Sequence, residues 1–585
     1  MVKGTSVLQR SIRIFLFASA IIGILSIIIE YGFNLSPGQS EIFQFVSVAV
    51  VIIFFIYQMV SFFISESKKE YIKSHLVESV IFFLIIFELI LTLTGNSLLL
   101  KIGERLRIKD ITYLYIVAAQ IYIVLGVIAG TLRINSKILE SKIHPARLFI
   151  GSFLVTIFVG AGLLMLPAAT TTGKISFADA LFTSTSAVCV TGLITVDTAT
   201  YFTLFGKIVI LGLIQIGGLG LMTFTTFFAL FLAGGLGLKE KFILREMMHE
   251  DNLGAITKVI VQIILTTLII ELIGAVFLFF SIKDYYTSIP QAIGISVFHS
   301  VSAFCNAGFS VYTLNMADVV VRNNTVFIIT VSLLIILGGI GFTTILNFHK
   351  FFKYYPYYNR FKVEIPLQYK MVIFTSIALI VAGTFMTYLF EYQHSLKEFS
   401  TGERLLHSYF QSVSTRTAGF NTIDISQLTM PTSLFYIFLM FVGASPGGTG
   451  GGIKTTTFAI FILAMAALFK NSEEINLKRR KIPTEIVKRA LMIFLLSVLF
   501  ILIGIFLLSL TEDKSLLDLS FEAFSAAGTV GLSRGITPYL TDPGKFIMIF
   551  LMFIGRVGPL TIIFAMSKSS EAKNYKLPEE NVSLL

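Results

Sequence analysis

Cysteine and charge are both scarce in this sequence, and each shortage excludes a class of protein. Two cysteines among 585 residues, Cys189 and Cys305, are too few for a disulfide framework or a cysteine metal cage. Charged residues make up only 14% of the chain, hydrophobic residues make up 55%, and the mean hydropathy is +0.85. Because a water-soluble fold does not need so much apolar surface, we expect a membrane protein.

Long apolar runs make up much of the sequence. A helix needs about 20 apolar residues to cross a bilayer, and runs of about this length recur along the chain. We expect the first run to be a membrane helix and not a signal peptide, because it lacks a small-residue cleavage site and many further runs follow. The twelve predicted spans are 11–30, 42–64, 77–99, 110–132, 148–167, 204–233, 256–282, 324–347, 369–391, 433–466, 489–510 and 544–566.

The formal net charge of +11 is concentrated between the spans. An even number of spans separates the basic stretches 66–76, 133–147, 349–370 and 477–489, so they share one side, which the positive-inside rule makes cytoplasmic. The same count predicts cytoplasmic N- and C-termini, and we expect no binding of nucleic acid. The basic stretch 101–109 departs from this pattern. Residues 477–489 are either only a topology signal or also a docking surface.

Four similar segments recur along the second part of the chain. They are FTSTSAVCVTGLI (182–194), FHSVSAFCNAGFS (298–310), FQSVSTRTAGFN (410–421) and FEAFSAAGTVGLS (521–533). Each begins with Phe, has a serine midway and reaches a glycine near its end. The glycines, spaced 116, 111 and 112 residues apart, are Gly192, Gly308, Gly419 and Gly531. The serines are Ser186, Ser302, Ser414 and Ser525.

An apolar span precedes each segment and a glycine-containing span follows it, so the repeating unit is helix, segment, helix. We predict an all-α polytopic membrane protein with N-terminal transmembrane helices in 1–145, which lack the repeated arginines of a voltage-sensing helix. Four units follow, in 146–245, 246–360, 361–480 and 481–585, the last with a C-terminal tail.

The segments themselves are too short and too interrupted to cross a bilayer. Irregular backbone survives at membrane depth only where it is buried in protein or lines water, which favours re-entrant loops. Four loops around one axis would direct backbone carbonyls and the negative ends of half-helices at a common path, which favours cations. Carboxylates are almost absent, Asp179 and Glu522 being expected at the outer mouth, so a monovalent cation is favoured over Ca²⁺.

These segments resemble the four pore loops of the Trk/Ktr/HKT superfamily of potassium transporters, and residues 148–585 are most similar to its KtrB-type ion-translocating subunit. The resemblance implies that four M1–pore loop–M2 repeats in one chain form a pseudo-tetrameric channel, preceded here by about four extra helices. It implies K⁺ as the transported ion, with Na⁺ as the alternative, potassium at the filter as the only metal, and no bound cofactor. The filter residues it implies are Val190, Thr191, Gly192, Leu193, Asn306, Ala307, Gly308, Phe309, Thr417, Ala418, Gly419, Phe420, Thr529, Val530, Gly531 and Leu532.

Residues 443–457, GASPGGTGGGIKTTT, contain six glycines and a proline and cannot form a continuous helix. The resemblance identifies them as an intramembrane loop that blocks the path below the filter and moves on activation. Arg556 lies in the last span, where a central arginine costs about 2.5–3.5 kcal/mol and needs water or a partner. The resemblance puts it in the pore beneath the filter. The predicted gate residues are Gly443, Ser445, Gly447, Gly448, Gly450, Gly451, Gly452, Lys454 and Arg556.

Several motifs also have simpler interpretations. GASPG fits the G-x-S-x-G nucleophile pattern, which needs a strand–turn–helix and a general base, and GGGIKT is a near miss to a phosphate-binding loop. Helix packing is predicted for Gly217, Gly218, Gly338 and Gly339. Cys189 and Cys305 are predicted to be buried, and His299 and His407 to be hydrogen-bonding groups of the re-entrant helices.

The resemblance implies a potassium uptake subunit in the plasma (inner) membrane of a prokaryote. It also implies a homodimer surrounded by membrane lipid and a separate cytosolic ring subunit that binds nucleotide and opens the gate. The alternatives are a sodium or mixed-cation transporter of the same build and, from another class, a membrane-embedded enzyme or sensor that uses residues 1–145. We expect no enzymatic activity.

Overall fold

The computed structural model describes residues 36–64, 145–219, 255–342, 367–472 and 480–566, with isolated positions between 22 and 33, at 68, 83, 87 and 91, and at 344–345 and 475–477. Several predictions fall outside these residues. They concern the spans 77–99 and 110–132, most of the span 11–30, the chain termini, and all or most of the basic stretches 66–76, 101–109, 133–147 and 349–370. The orientation in the membrane therefore stays a prediction.

The described parts of the chain are almost entirely helical. Helix α1 (Pro37–Ile64) belongs to the N-terminal block. The first unit contains α2 (Pro145–Leu164), α3 (Phe177–Val188), α4 (Thr198–Tyr201) and α5 (Leu204–Gly218). The second contains α6 (Ala255–Ile282), α7 (Ile289–Phe304), α8 (Val319–Arg322) and α9 (Thr325–Ile340).

The third and fourth units follow the same order. The third contains α10 (Leu367–Glu391), α11 (Thr401–Ser414), α12 (Met430–Phe441) and α13 (Thr455–Phe469). A two-stranded antiparallel hairpin, β1 (Asn476–Leu477) and β2 (Arg480–Lys481), leads to the fourth unit. That unit contains α14 (Thr484–Thr511), α15 (Leu516–Gly528), α16 (Asp542–Val557) and α17 (Pro559–Met566).

Three helical stretches in the described ranges are long and apolar enough to cross a membrane, namely Val261–Tyr285, Leu367–Glu391 and Thr484–Thr511. Their outward faces carry large exposed apolar side chains, such as Phe374 (76% exposed) and Leu495 (66% exposed). In water such a surface would be unfavourable, whereas lipid accommodates it. The chain is therefore suited to a membrane.

Two of the predicted spans are broken at a glycine. Helix α9 ends before Gly341, which has φ +98°, and α16 ends before Gly558, which has φ +88° and is followed by Pro559. Positive φ ends a right-handed helix, and proline removes the next backbone donor. The predicted spans 324–347 and 544–566 therefore each contain the end of a helix.

The short helices α3, α7, α11 and α15 are buried between the longer ones. The phenylalanine that opens each repeat anchors them in the core: Phe182, Phe410 and Phe521 are 0% exposed and Phe298 is 4% exposed. Glycines of three long helices let these short helices approach closely. Ser184, Ser300 and Ser412 lie against Gly160, Gly274 and Gly383 and donate hydrogen bonds of 2.6–2.8 Å to carbonyls of the long helix. In the fourth unit Ala523 replaces this serine.

Candidate functional site

Serine precedes all four short helices, and in three of them its side chain caps the helix. Ser176 and Ser515 accept hydrogen bonds from the backbone of Asp179 and Asp518, and Ser400 forms a reciprocal capping box with Glu403. Ser288 occupies the same place in the second unit without a side-chain cap. Sequence reasoning missed these caps, although an S-x-x-D/E signature precedes each of the three helices. The caps fix where each short helix begins, and thus where its C-terminal end and the following loop lie.

The loops that follow the short helices, which we call the central loops, share one backbone path. They comprise residues 189–194, 305–310, 415–421 and 529–534. In each, the residue two before the glycine has a positive φ: Val190 (56°), Asn306 (60°), Thr417 (74°) and Thr529 (50°). The glycines Gly192, Gly308, Gly419 and Gly531 also have positive φ, of 91°, 70°, 74° and 93°. Non-glycine residues rarely adopt this conformation, so surrounding contacts must hold it.

The serine of each repeat supplies one of these contacts. Ser186 and Ser525 accept hydrogen bonds of 3.0 Å from the backbone N–H of Gly192 and Gly531. In the other two units the serine donates instead, to the carbonyl of the residue after the glycine. The pairs are Ser302 with Phe309, at 2.7 Å, and Ser414 with Phe420. Each central loop is thus tied to its own short helix at the level of the glycine.

The four glycines meet in a closed ring. A Cβ atom on Gly192 would lie 2.5 Å from the carbonyl oxygen of Ala307, and one on Gly308 would lie 2.7 Å from that of Ala418. The ring closes in the same sense, because Gly419 faces the Val530 carbonyl and Gly531 faces the Thr191 carbonyl. The oxygen always belongs to the residue just before the next glycine. No side chain fits at any of the four positions without displacing a backbone carbonyl.

The predicted filter residues are also brought together by burial and by side-chain contacts. Fifteen of the sixteen are buried, and Gly531 is half-buried. The Asn306 amide bridges two loops when its nitrogen donates to the carbonyls of Ala303 and Ile335 and its oxygen accepts a 3.1 Å hydrogen bond from Thr417 Oγ1. These contacts hold the second and third central loops against each other.

The predicted gate contains the expected break. Helix α12 ends at Phe441 and α13 begins at Thr455, so residues 442–454 form an interrupted segment, and the last three residues of the predicted stretch 443–457 are helical. The segment folds on itself, with the Gly443 N–H donating to the Ile453 carbonyl at 2.9 Å.

The interrupted segment also bonds to the second unit. The Ser445 N–H donates to the Gly339 carbonyl at 2.9 Å, and the Phe342 N–H donates to the Gly447 carbonyl at 3.0 Å. Residue Gly448 lies against the carbonyls of Gly338 and Gly339, so little room remains on this side. The segment is held by neighbouring backbone and does not hang free below the loops.

The same segment touches the central loops directly. Gly451 N–H donates to Thr529 Oγ1 at 2.9 Å, and Thr449 Oγ1 donates to the Phe304 carbonyl at the end of α7 at 3.1 Å. Gly450 packs against the Thr417 side chain. Two central loops and the end of α7 therefore rest on a segment that has no regular secondary structure.

Arg556 links this segment to the first unit. The side chain is 4% exposed and donates hydrogen bonds to the carbonyls of Thr449 and Gly217. The guanidinium is thus stabilised by two backbone acceptors, as a buried arginine inside a membrane span requires. The residue lies beside the interrupted segment, where the resemblance had put it.

Ser445 and Lys454, the two residues that suggested an enzymatic site, bond to neighbouring groups instead. Ser445 Oγ accepts a 2.9 Å hydrogen bond from Thr455 Oγ1 and lies in an irregular turn, not in a strand–turn–helix nucleophile elbow. Lys454 Nζ donates to the Gly450 carbonyl at 2.8 Å and so stabilises its own segment. Both side chains therefore serve the local fold.

Gly217, Gly218 and Gly338 allow close helix packing, as predicted. A Cβ on Gly217 or Gly338 would collide with the carbonyl that ends the neighbouring short helix, at Val188 or Phe304 respectively. Gly218 lies against the Cys305 thiol. Both cysteines are free and buried, as predicted.

The two histidines differ from each other. His299 bonds through both ring nitrogens, to the Ile295 carbonyl at 2.9 Å and to Ser310 Oγ at 3.0 Å, as expected. His407 has no hydrogen-bond partner among the residues the structure describes and packs against Phe399, with ring centroids 4.2 Å apart. The prediction of a hydrogen-bonding role is therefore wrong for His407, because an aromatic ring occupies the place of a polar partner.

One ion pair joins two units directly, and a second ion pair holds an arginine that bonds to a neighbouring unit. Lys545 Nζ lies 2.8 Å from Asp179 Oδ1 and joins the fourth unit to the first. Arg534 Nε lies 2.7 Å from Asp518 Oδ1, and its Nη1 donates to Ser433 Oγ of the third unit at 2.6 Å. Burial opposes ionisation of Asp518, but hydrogen bonds from Arg534 and Ser515 hold its pKa below the ordinary value. These pairs brace neighbouring units.

Long apolar helices around a buried ring of four repeated loops define a polytopic helical membrane protein. The model of the TrkH family, described as a cation transport protein, matches residues 126–577. The chain therefore belongs to this family, and the recognition made from the repeated loops is confirmed. The family transports ions, so the expectation that the chain is not an enzyme is confirmed as well. Residues 1–125 lie outside the match.

Individual relatives agree with this assignment. The chain is 38% identical over 454 residues to the Ktr system potassium uptake protein B of Bacillus subtilis, covering 77% of this chain and 99% of the relative. It is 36% identical over 464 residues to the potassium/sodium uptake protein NtpJ of Enterococcus hirae, covering 77% and 99%. The crystal structure of the potassium transporter TrkH from Vibrio parahaemolyticus matches with a TM-score of 0.61 at 17% identity, covering 82% of this chain and 97% of that one, which supports the fold.

Proposed function

We propose that this chain takes up potassium across the plasma membrane through a pore lined by its four central loops. The closed ring of Gly192, Gly308, Gly419 and Gly531 carries the proposal, because each glycine packs on the carbonyl that precedes the next. Four quasi-equivalent backbones around one axis can offer main-chain oxygens in place of the water around a K⁺ ion. The four units would then act as the pseudo-tetramer predicted from the repeats, with the N-terminal helices as an addition.

The interrupted segment is the gate in this proposal. It lies against loop residues Thr417 and Thr529 and is fastened by Arg556, so an ion leaving the filter would meet it. Several separate hydrogen bonds hold the segment to its neighbours, and a rearrangement could break and replace them one at a time. A positive guanidinium beside the path would also discourage a cation from resting there.

The names of two relatives imply a separate partner protein. The relatives from Bacillus subtilis and Vibrio alginolyticus are both called protein B of a Ktr system, which implies a further component. We propose a cytosolic nucleotide-binding ring as that component, with this chain as a homodimer in lipid and with both of its termini cytoplasmic. The ring would open the gate, and membrane potential, about 2.3 kcal/mol per charge per 100 mV, would drive uptake.

Transport of sodium beside potassium is the second candidate. The Enterococcus hirae relative is named a potassium/sodium uptake protein and is 36% identical to this chain. Glycine at all four ring positions favours potassium, since each unit then brings its backbone equally close to the carbonyl of the next unit, with no side chain between them. We therefore place sodium second.

Growth and flux in a bacterial strain without its own potassium uptake systems test the proposal. The chain should restore growth at low potassium and support rubidium uptake that potassium blocks better than sodium does. The vector without insert is the control, and membrane fractions verify that the protein is present. Rubidium uptake no faster than in the control strain, with the protein present, would contradict potassium transport. Equal block by sodium and potassium would favour the mixed-cation function.

A further inference from the structure

Each short helix carries a second polar position that the proposed function does not use. It directly follows the phenylalanine that opens the repeat and lies three residues before the serine that ties the loop. Residues three apart share one face of a helix, so this side chain faces the same loop at a different height. The four residues are Thr183, His299, Gln411 and Glu522.

Glu522 fixes the far end of the fourth central loop, which is the end that follows the glycine. The side chain is 0% exposed, yet its carboxylate accepts hydrogen bonds from Ser533 Oγ at 2.6 Å, from the Arg534 N–H at 3.0 Å and from Thr537 Oγ1 at 2.8 Å. Ser533 stands two residues after Gly531. The carboxylate is thus turned inward, towards two side-chain hydroxyls and one backbone N–H behind the loop, and its place at the outer mouth stays a prediction.

His299 makes the corresponding contact in the second unit. Its Nε2 lies 3.0 Å from Ser310 Oγ, and Ser310 stands two residues after Gly308. The ring is itself held, because Nδ1 bonds to the Ile295 carbonyl and the imidazole stacks on Tyr312 with centroids 5.0 Å apart. The far ends of the second and fourth loops are thus both tied to their own short helices.

The first and third units carry no such tie within the described ranges. Thr183 and Gln411 are buried, but their side-chain polar atoms have no hydrogen-bond partner there. The residues two after the glycines are Ile194 and Asn421, and the Asn421 amide donates to the nearby Ile423 carbonyl. Because the ring runs in chain order, the tied loops face each other across it, with the untied loops between them.

The Arg534 guanidinium is directed away from Glu522, although the Arg534 backbone N–H bonds to it. The guanidinium bonds to Asp518 and Ser433 instead, at 2.7 and 2.6 Å. The contacts of Glu522 are therefore made with the far end of the fourth loop and with Thr537 just beyond it, and a substitution of its carboxylate tests this tie.

We propose that Glu522 and His299 are positioning residues that hold the far ends of two opposite filter loops and thereby set the preference for potassium over sodium. The inference rests on the proposed function of the central loops as the filter. A loop whose far end is fixed keeps its carbonyls at the distance that suits the larger ion and cannot collapse around the smaller one. The two tied loops set this distance, and Thr183 and Gln411 do not contribute to it.

Rubidium uptake in the potassium-uptake-deficient strain tests the inference through one ratio, the inhibition constant of Na⁺ divided by the KM for Rb⁺. Glu522→Gln should lower this ratio about fivefold, the factor that corresponds to one lost hydrogen bond between neutral groups. Glu522→Asp keeps a carboxylate and should retain most of the ratio, and His299→Gln should lower it. Gln411→Leu and Thr183→Val are the matched controls and should stay within about twofold of the parent chain, as near-neutral substitutions do.

Gly531→Ser in the same assay separates the two proposals. If it changes the ratio while Glu522→Gln and His299→Gln do not, the filter stands and the role of these two residues is overturned. If it leaves the ratio unchanged too, the filter assignment fails and the inference fails with it. A purely structural role for Glu522 would lower the maximal rate or the amount of protein at a constant ratio, which also overturns the proposal. If Glu522→Gln does not reach the membrane, the ratio is compared between His299→Gln and Gln411→Leu. A lower ratio in His299→Gln alone supports the inference, and equal ratios overturn it.

Discussion

The backbone N–H of Gly451 donates a 2.9 Å hydrogen bond to the side-chain oxygen of Thr529. Gly451 belongs to the interrupted segment, and Thr529 opens the fourth central loop in a left-handed conformation, at φ +50°. The contact joins the predicted gate to the predicted filter without any intervening residue. Any movement of the segment away from the loops must break it, so its strength contributes to the balance between the two positions of the segment.

Replacing Thr529 by valine tests this contact. Valine keeps the branched shape of threonine, so the strained backbone is unchanged, but the acceptor for Gly451 is lost. A neutral hydrogen bond contributes about 1 kcal/mol, so the open form should gain about fivefold in population. We expect higher rubidium flux without the activating partner. Thr529→Ser retains the hydroxyl and should behave like the parent chain, and equal flux in all three proteins would contradict the contact's role.

Arg556 offers a second way to loosen the segment. Arg556→Gln removes the donors to the carbonyls of Thr449 and Gly217 together with the positive charge, so we expect faster ion flux in reconstituted vesicles. Arg556→Lys keeps the charge but cannot make both bonds in the same geometry. Faster flux in both variants would assign the effect to the hydrogen bonds, and faster flux in Gln alone would assign it to the charge. Slower flux in both folded variants would contradict a restraining role.

The sequence was sufficient to predict the repeat and the ring residues, because the repeated Phe, Ser and Gly each have one structural task. The phenylalanines, such as Phe410, fill the core, the serines tie the loops, and the glycines, such as Gly192, meet neighbouring carbonyls. The break at 443–457 was also predictable, since glycine and proline disfavour a helix whatever surrounds them.

Other features depend on contacts between units and could not be predicted from local pattern. The buried position of Glu522 follows from Ser533, Arg534 and Thr537, and a lone carboxylate in a short helix carries no sign in the sequence of being turned inward. The bonds from Arg556 to Thr449 and Gly217 join residues 107 and 339 positions apart. The position of the break at Gly341 could not be predicted, because Gly338, Gly339 and Gly341 lie within four residues of one apolar run and a helical pattern tolerates glycine.

Deleting residues 447–452 tests the gate as a whole. The deletion removes the part of the segment that contacts Phe342 and Thr529, so the passage below the loops should stand open. We expect cation leak without an activating partner, measured as rubidium entry into vesicles. Gel filtration and thermal unfolding establish whether the variant is folded. A folded variant that passes no more rubidium than the parent chain would show that the segment is not the obstruction.

The helix caps predict differences in stability among the units. Ser400→Ala removes the side-chain acceptor for the Glu403 N–H, which is one half of the capping box at the start of α11, and should cost about 1 kcal/mol of unfolding free energy. Ser288→Ala is the matched control, because Ser288 precedes α7 without a side-chain cap bond. Thermal unfolding in detergent should show a lower midpoint for the first variant and an unchanged midpoint for the second. Equal midpoints would mean that the cap does not limit stability.

Gly531→Ser tests the ring itself. A side chain at Gly531 would press on the Thr191 carbonyl and would also have to adopt φ +93°. Gly535→Ser carries the same conformational cost at φ +90°, but its side chain enters open space. Strain at one backbone position costs about 1–3 kcal/mol, so displacement of the carbonyl should lower the potassium-to-sodium preference by about tenfold in Gly531→Ser and not in Gly535→Ser. Ion competition in reconstituted vesicles measures the preference, and a similar loss in both variants would mean that backbone strain, and not the ring contact, is responsible.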